Sequence, residues 1–218
     1  MAIIKQSEYR LDYNVDIVFC VDASKRMDYV LSILKEGANK VYKFIVDEIK
    51  KRDSLNIVQQ LRAKVIVFRK PEANGSAITE TKFFNLEHES DEFERFMESI
   101  ELSSGDCKID TALEALEAAI KSDWVKEGTL RRHVIMMFTA ARDGQFSREK
   151  FEALEDMWEV SVMEKRAKRL LIRAPECSPW WDTNSWSNSF LSSSLFTPGT
   201  YLDDPDMETF LIPLVFSI

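Results

Sequence analysis

Apolar residues occur along this chain in two patterns, which predict different elements. Nearly continuous apolar runs, rich in β-branched residues, occupy residues 15–21 and 133–139. Runs of this length and composition are typical of strands buried on both faces of a sheet. We also predict strands at residues 62–68, 78–86 and 169–173. An Asn-Gly turn lies between the strands at 62–68 and 78–86, which predicts that these two form an antiparallel hairpin.

A helical pattern separates these strands. Residues 27–50 carry apolar side chains at spacings of three and four: Val30, Ile33, Leu34, Ala38, Val41, Phe44, Ile45 and Ile49. That spacing predicts a single helix of about six turns with one apolar face. Residues 92–100, capped by Ser90 or Asp91, and residues 110–124 and 147–165 are also predicted to be helical.

Strands that alternate with helices predict an α/β fold. We expect a doubly wound, mostly parallel central sheet with one antiparallel edge strand near residues 78–86 and helices on both faces. A chain of 218 residues suits a single domain, 1–218, with its core at about 14–202.

The sequence changes character at residue 175. Three tryptophans, Trp180, Trp181 and Trp186, lie within seven residues, and a serine-rich stretch follows at 185–194. We interpret 175–218 as a loop-rich extension with a short strand at 200–202 and a helical turn at 206–211. The tryptophans are candidate contacts for a partner protein, although covering the sheet edge is the alternative.

Charge and cysteine content exclude several classes of function. The 29 basic and 37 acidic residues give a net charge of −8, which argues against a protein that binds nucleic acid phosphates. No apolar run approaches the roughly 18 residues that a membrane helix needs. The N-terminus lacks the apolar region of a signal peptide, and three scattered cysteines do not form a disulfide framework. We therefore expect a cytoplasmic protein.

The candidate chemistry lies where three predicted elements end or begin. Asp22 and Ser24 follow the first strand, and Thr139 ends the 133–139 run, with Ala140 directly after it. A loop, Ser-Ser-Gly-Asp-Cys at residues 103–107, precedes the helix at 110–124. Oxygen-bearing side chains at the carboxyl ends of strands are how α/β domains build sites for hard cations.

These three segments resemble the metal-site motifs of von Willebrand factor type A (vWA) domains, of the intracellular bacterial type. The resemblance implies a site for Mg²⁺ or Mn²⁺ made by an aspartate, two serines, a threonine and a second aspartate. Asp22 and Ser24 match the first two positions. Asp106 stands at the threonine in one register and Cys107 in another.

Two substitutions change the site that the resemblance implies. Arg26 replaces the second serine, and Ala140 replaces the second aspartate. Two unit charges 4 Å apart repel by about 4 kcal/mol at an effective dielectric of 20. Three arrangements stay open: Arg26 pairs with Asp22 or Asp106 in place of the metal, Arg26 points into solvent, or the site binds Mg²⁺ weakly. We assign no cofactor beyond that weak Mg²⁺ site.

The resemblance implies a non-enzymatic scaffold or interaction module that binds a partner protein, here with a degenerate metal site. One alternative is a working Mg²⁺-dependent adhesion module. The other is an unrecognised α/β enzyme of the hydrolase type. The sequence lacks the Gly-x-x-x-x-Gly-Lys-Ser and Gly-x-Ser-x-Gly motifs, and Cys107 has no histidine placed to act as its base.

Overall fold

The computed structural model describes residues 13–52, 58–71, 76–141, 144, 147–160, 168–173 and 189–191. Within them a single sheet has seven strands: β1 (Tyr13–Asp22), β2 (Val58–Phe68), β3 (Ile78–Glu80), β4 (Phe84–Asn85), β5 (Leu130–Phe138), β6 (Lys168–Arg173) and β7 (Ser189–Leu191). Their order is β3-β2-β1-β5-β6-β7, and β4 also pairs with β2. The pairs β1–β2, β1–β5, β5–β6 and β6–β7 are parallel, whereas β3 and β4 run antiparallel to β2.

Helices cover both faces of this sheet. On β1, Val15, Ile17, Phe19 and Val21 pack in one apolar cluster with α1 (Asp28–Gly37), α2 (Val41–Arg52) and α3 (Ser90–Glu98). Val18 and Cys20 belong to a second cluster with α4 (Ile109–Ile120) and α5 (Arg148–Val160). All ten residues of β1 are buried, which explains why this strand carries an apolar run without alternation. The predicted doubly wound α/β fold is confirmed.

The helix predicted over residues 27–50 is divided in two. A 3₁₀ turn, Ala38–Lys40, separates α1 from α2, and a second 3₁₀ turn, Lys25–Met27, precedes α1. Gly37 lies at the break, where glycine's low helix propensity makes an interruption inexpensive. The apolar spacing continues through the break because Ala38, Val41 and Ile45 all remain buried.

Other boundaries also differ from the prediction. The strand expected at 78–86 is two short strands, β3 and β4, and the irregular stretch between them keeps Thr81 hydrogen-bonded to β2. The helix expected at 110–124 ends at Ile120, where the Trp124 indole donates a hydrogen bond to the Ile120 carbonyl. No side chain caps the start of α3. β7 lies inside the serine-rich stretch that the sequence predicted to be a loop.

Several predictions lie outside the described residues. These are the Asn74-Gly75 turn, the last turn of the helix predicted to reach residue 165, the tryptophans Trp180, Trp181 and Trp186, the strand at 200–202 and the helical turn at 206–211. In the part of the chain that is described, no helix has both the length and the apolar character needed to cross a bilayer.

A buried ion pair fixes the amino end of the sheet. Asp16 on β1 is 1% exposed, and Arg62 on β2 donates to both of its carboxylate oxygens, at 2.8 and 2.6 Å. The backbone N–H of Val125 donates to Asp16 Oδ2 at 2.7 Å. The loop between α4 and β5 is therefore tied to the central strand through a buried charge.

We predict that Asp16→Ala lowers the free energy of unfolding by about 3–5 kcal/mol, because Arg62 and the Val125 N–H lose their acceptor in a buried site. Urea denaturation measures this change. The control is Glu152→Ala, which breaks the Arg148–Glu152 pair on α5, whose side chains are 79% and 56% exposed. That control should cost at most about 0.5 kcal/mol. Equal losses in the two variants would contradict the prediction.

Candidate functional site

The candidate site lies where the direction of winding reverses. The chain passes from β1 to β2 and β3 on one side, then returns to build β5, β6 and β7 on the other. A crevice forms at the carboxyl ends of strands at such a reversal, and ligands of open α/β sheets bind there. Asp22 is the last residue of β1, and Thr139 and Ala140 follow β5 directly. Hydrogen bonds join Asp22 to both of these residues.

Asp22 is fully buried, and donors from the protein surround both of its carboxylate oxygens. The Ser24 N–H donates to Oδ1 at 2.9 Å. The Ala140 N–H and the Thr139 hydroxyl donate to Oδ2 at 3.0 and 3.3 Å. The lone pairs that a cation would need are thus directed at backbone and hydroxyl donors.

Burial also shifts the pKa of this carboxyl. Loss of hydration raises the pKa of Asp22 above its ordinary value of 3.8. Hydrogen bonds from the Ala140 N–H, from the N–H and side chain of Ser24, and from Thr139 act in the opposite direction without cancelling the effect. The net result is a raised pKa, which is typical of a carboxyl buried in the interior.

Arg26 pairs with Asp106 rather than with Asp22. Its Nη2 lies 2.9 Å from Asp106 Oδ2, and the two side chains are 43% and 38% exposed. Arg26 belongs to the 3₁₀ turn Lys25–Met27, so its side chain reaches the loop before α4 across the mouth of the crevice. The described structure thus contains the Arg26–Asp106 ion pair, one of the pairings that the sequence left open.

Cys107 takes the inward position on that loop. It is 1% exposed, and the nearby Asp22 charge is one of the influences on its pKa. Burial, followed by that charge, raises the pKa of the Cys107 thiol to about 12. A thiol with this pKa carries almost no thiolate near neutral pH, so the geometry does not support a nucleophilic role.

Thr139 and Ser103 lie in the segments that the sequence marked as candidate chemistry, but no role was predicted for either. Thr139 was treated only as the end of an apolar strand, yet its hydroxyl accepts from the Ala141 N–H and donates to Asp22. Ser103 forms an isolated parallel bridge with Ser24, and its N–H donates to the Ala23 carbonyl at 2.7 Å. A polar residue at the end of an otherwise apolar run was the available signal for Thr139. The spacing of residues along the sequence gives no such signal for Ser103.

The residues present do not fit the metal site that the vWA resemblance implies. Asp22 already accepts hydrogen bonds at both carboxylate oxygens, Asp106 faces Arg26, and position 140 supplies an N–H instead of a carboxylate. Hard cations require several anionic oxygens directed at one point. Among the described residues, no three His, Cys, Asp or Glu side chains are grouped so that they could hold a metal ion.

Comparison with known proteins adds structural similarities only. No protein-family profile matches the sequence, and no curated protein matches it. A pilus adhesin, SpaC from Lactobacillus rhamnosus GG in its open conformation, aligns with a TM-score of 0.48 at 11% identity, over 74% of this chain and 24% of the adhesin. Proximal thread matrix protein 1 from the mussel byssus, with a zinc-occupied MIDAS motif, aligns with a TM-score of 0.46 at 14% identity, over 77% of this chain and 37% of that protein. The chain thus spans well under half of either one, and neither similarity identifies its family.

We predict that Asp22→Asn removes a pH dependence of stability. Because the pKa of Asp22 is raised in the folded chain, folding holds a proton that the unfolded chain releases near 3.8. The stability of the wild type therefore falls as pH rises from 3.8 through the raised pKa, and the variant has no such contribution. Urea unfolding at successive pH values measures the difference. Asp110→Asn, at an exposed position, controls for the substitution, and parallel curves for wild type and Asp22→Asn would refute the prediction.

Proposed function

We propose that this chain is a non-enzymatic protein-interaction module of the vWA type in which an internal ion pair replaces the metal. The observation that carries the proposal is the Arg26–Asp106 pair at the crevice mouth, above a buried aspartate whose oxygens already accept hydrogen bonds. The guanidinium supplies positive charge where a divalent ion would otherwise balance the carboxylates.

Two exposed apolar side chains, each within four residues of a member of the pair in the sequence, support binding of another protein. Tyr29 and Leu102 are the large hydrophobic side chains that are exposed in the described part of the chain, at 42% and 36%. Leu102 lines a groove of about 320 Å³ between α1 and the loop after α3, and Tyr29 lies in the first turn of α1. Apolar side chains beside charged ones are the usual composition of an interface that forms and dissociates.

The raised pKa of the Cys107 thiol and the positions of the histidines motivate the non-enzymatic part of the proposal. Cys107 is buried with a raised pKa, and the described histidines do not lie at this edge: His88 is exposed after β4, and His133 lies in the amino-terminal half of β5. We also propose a cytoplasmic location, because Cys20 and Cys107 are both buried and free.

Calorimetry with Mg²⁺ and Mn²⁺ tests the replacement of the metal. We predict no saturable binding by the wild type and measurable binding by Arg26→Ser/Ala140→Asp, which removes the cation and restores a carboxylate. Removing a unit charge at about 4 Å is worth about 4 kcal/mol, or roughly a thousandfold in affinity. The control, Arg148→Ser/Ala153→Asp on α5, makes the same change in net charge at exposed positions. Tight binding by the wild type would show that Arg26 does not replace the metal.

Site-directed photocrosslinking tests the interaction itself. A photoreactive amino acid replaces Tyr29 in one full-length chain and Glu152, on the exposed face of α5, in another. Expressed in its native cells, the chain labelled at position 29 should give discrete crosslinked products that the chain labelled at 152 lacks. Arg26→Glu should weaken them, since it reverses the charge beside the groove. The same products from both positions would place the interaction elsewhere, and none from position 29 would argue against this surface.

A further inference from the structure

A second cavity lies at the opposite end of the sheet from Asp22. It measures about 630 Å³, is open to solvent on one side, and is lined by the end of α4, the loop that follows, the start of β5 and α5. Asp16, which anchors that loop, precedes Asp22 by six residues on β1, or about 20 Å along an extended strand. The two sites are therefore separate, and this inference is independent of the function proposed above.

The wall of this cavity is apolar and fixed by hydrogen bonds. Trp124 stacks on His133, with 5.0 Å between ring centroids and 28° between planes. The Trp124 indole donates to the Ile120 carbonyl at 3.1 Å, and His133 Nε2 lies 3.0 Å from the Val125 carbonyl oxygen. The Val125 N–H also donates a hydrogen bond to the buried Asp16. The wall is therefore held in place without a ligand.

The rim of the cavity is cationic. Lys121, Lys126 and Arg131 line it, against the single carboxylate of Asp123. Lys121 is bonded to Glu117, whereas the Arg131 guanidinium is held beside Lys126 by a hydrogen bond to the Lys126 carbonyl. A local excess of positive charge is notable in a chain whose net charge is −8. It attracts anions and raises their concentration at the opening.

We propose that this cavity binds a small aromatic anion, an aryl carboxylate or sulfonate. The aromatic rings of the ligand would pack against the apolar wall formed by Ile120, Trp124 and Met157. The anionic group would face Lys126 and Arg131 at the rim. A cavity of this volume, mostly apolar with a few charged groups, has the properties of a small-molecule site. The class of ligand follows from the charge of the rim and the shape of the wall.

A pair of matched probes separates the two contributions. The probes are 8-anilinonaphthalene-1-sulfonate and N-phenyl-1-naphthylamine, which share their rings and differ in the sulfonate. Titration of the full chain, followed by fluorescence, should give saturable binding of the sulfonate at one site and weaker binding of the neutral probe. Added salt should weaken binding of the sulfonate alone, because only that probe depends on the charged rim.

Charge reversal locates the site. Lys126→Glu/Arg131→Glu should raise the Kd of the sulfonate at least about tenfold, because two attractions become repulsions. The control, Lys40→Glu/Lys43→Glu, makes the same change in charge at a separate groove of about 420 Å³ and should change the Kd less than about twofold. Met157→Trp should abolish binding by filling the cavity. Thermal melting shows that each variant is folded, and Lys126→Gln/Arg131→Gln replaces the reversed pair if that pair does not fold.

Four results would overturn the proposal, the first three of which come from the probes and the charge reversals. These three are the absence of saturable binding of the sulfonate, equally tight binding of the neutral probe, and equal weakening by the two charge-reversed pairs. Binding that survives Met157→Trp unchanged would likewise place the probe outside this cavity.

Discussion

The structure depends on a central strand that is buried over its whole length and carries a carboxylate near each end. Asp16 and Asp22 lie six residues apart on β1, on the face that packs against α4 and α5. A buried carboxylate is costly unless donors surround it, so each one determines the path of the chain nearby. Asp16 holds Arg62 and the loop before β5, and Asp22 holds the turns that follow β1 and β5.

The same requirement has two different solutions at the two ends of the strand. At the amino end a charged donor, Arg62, neutralises Asp16 directly. At the carboxyl end the donors to Asp22 are neutral, and the nearest ion pair, Arg26–Asp106, lies further out at the surface. A buried pair is strongly sensitive to loss of one member, whereas an exposed pair contributes little to stability. Loss of the outer pair should therefore cost the fold much less than loss of the inner one.

The sequence predicted most of the fold because its central elements are buried on more than one side. β1 and β5 carry continuous apolar runs for that reason, and the helices show one apolar face each. The break at Gly37 was missed because the buried positions on its two sides keep a helical spacing. β7 was missed because three residues within a serine-rich stretch carry almost no pattern. The helix was predicted to reach Trp124 because this residue packs with α4, although the helix itself ends at Ile120.

The sequence identified several residues of the candidate site, but not which of them form an ion pair. The motif identified Asp22, Ser24, Arg26 and Asp106, yet spacing does not say which carboxylate faces the arginine. That choice depends on the path of residues 101–108, where the Ser24–Ser103 bridge turns Cys107 inward and Asp106 outward. Contacts between loops distant in sequence decide such details, and local pattern does not encode them.

The short antiparallel strands β3 and β4 form an edge that offers little to an added strand. They cover one side of β2 with only three and two residues, and the backbone between them is irregular. An edge of this kind presents no long row of unpaired N–H and C=O groups, so it is a poor template for an added strand. A peptide that binds by extending a β-sheet would consequently find no continuous register on this side of the sheet.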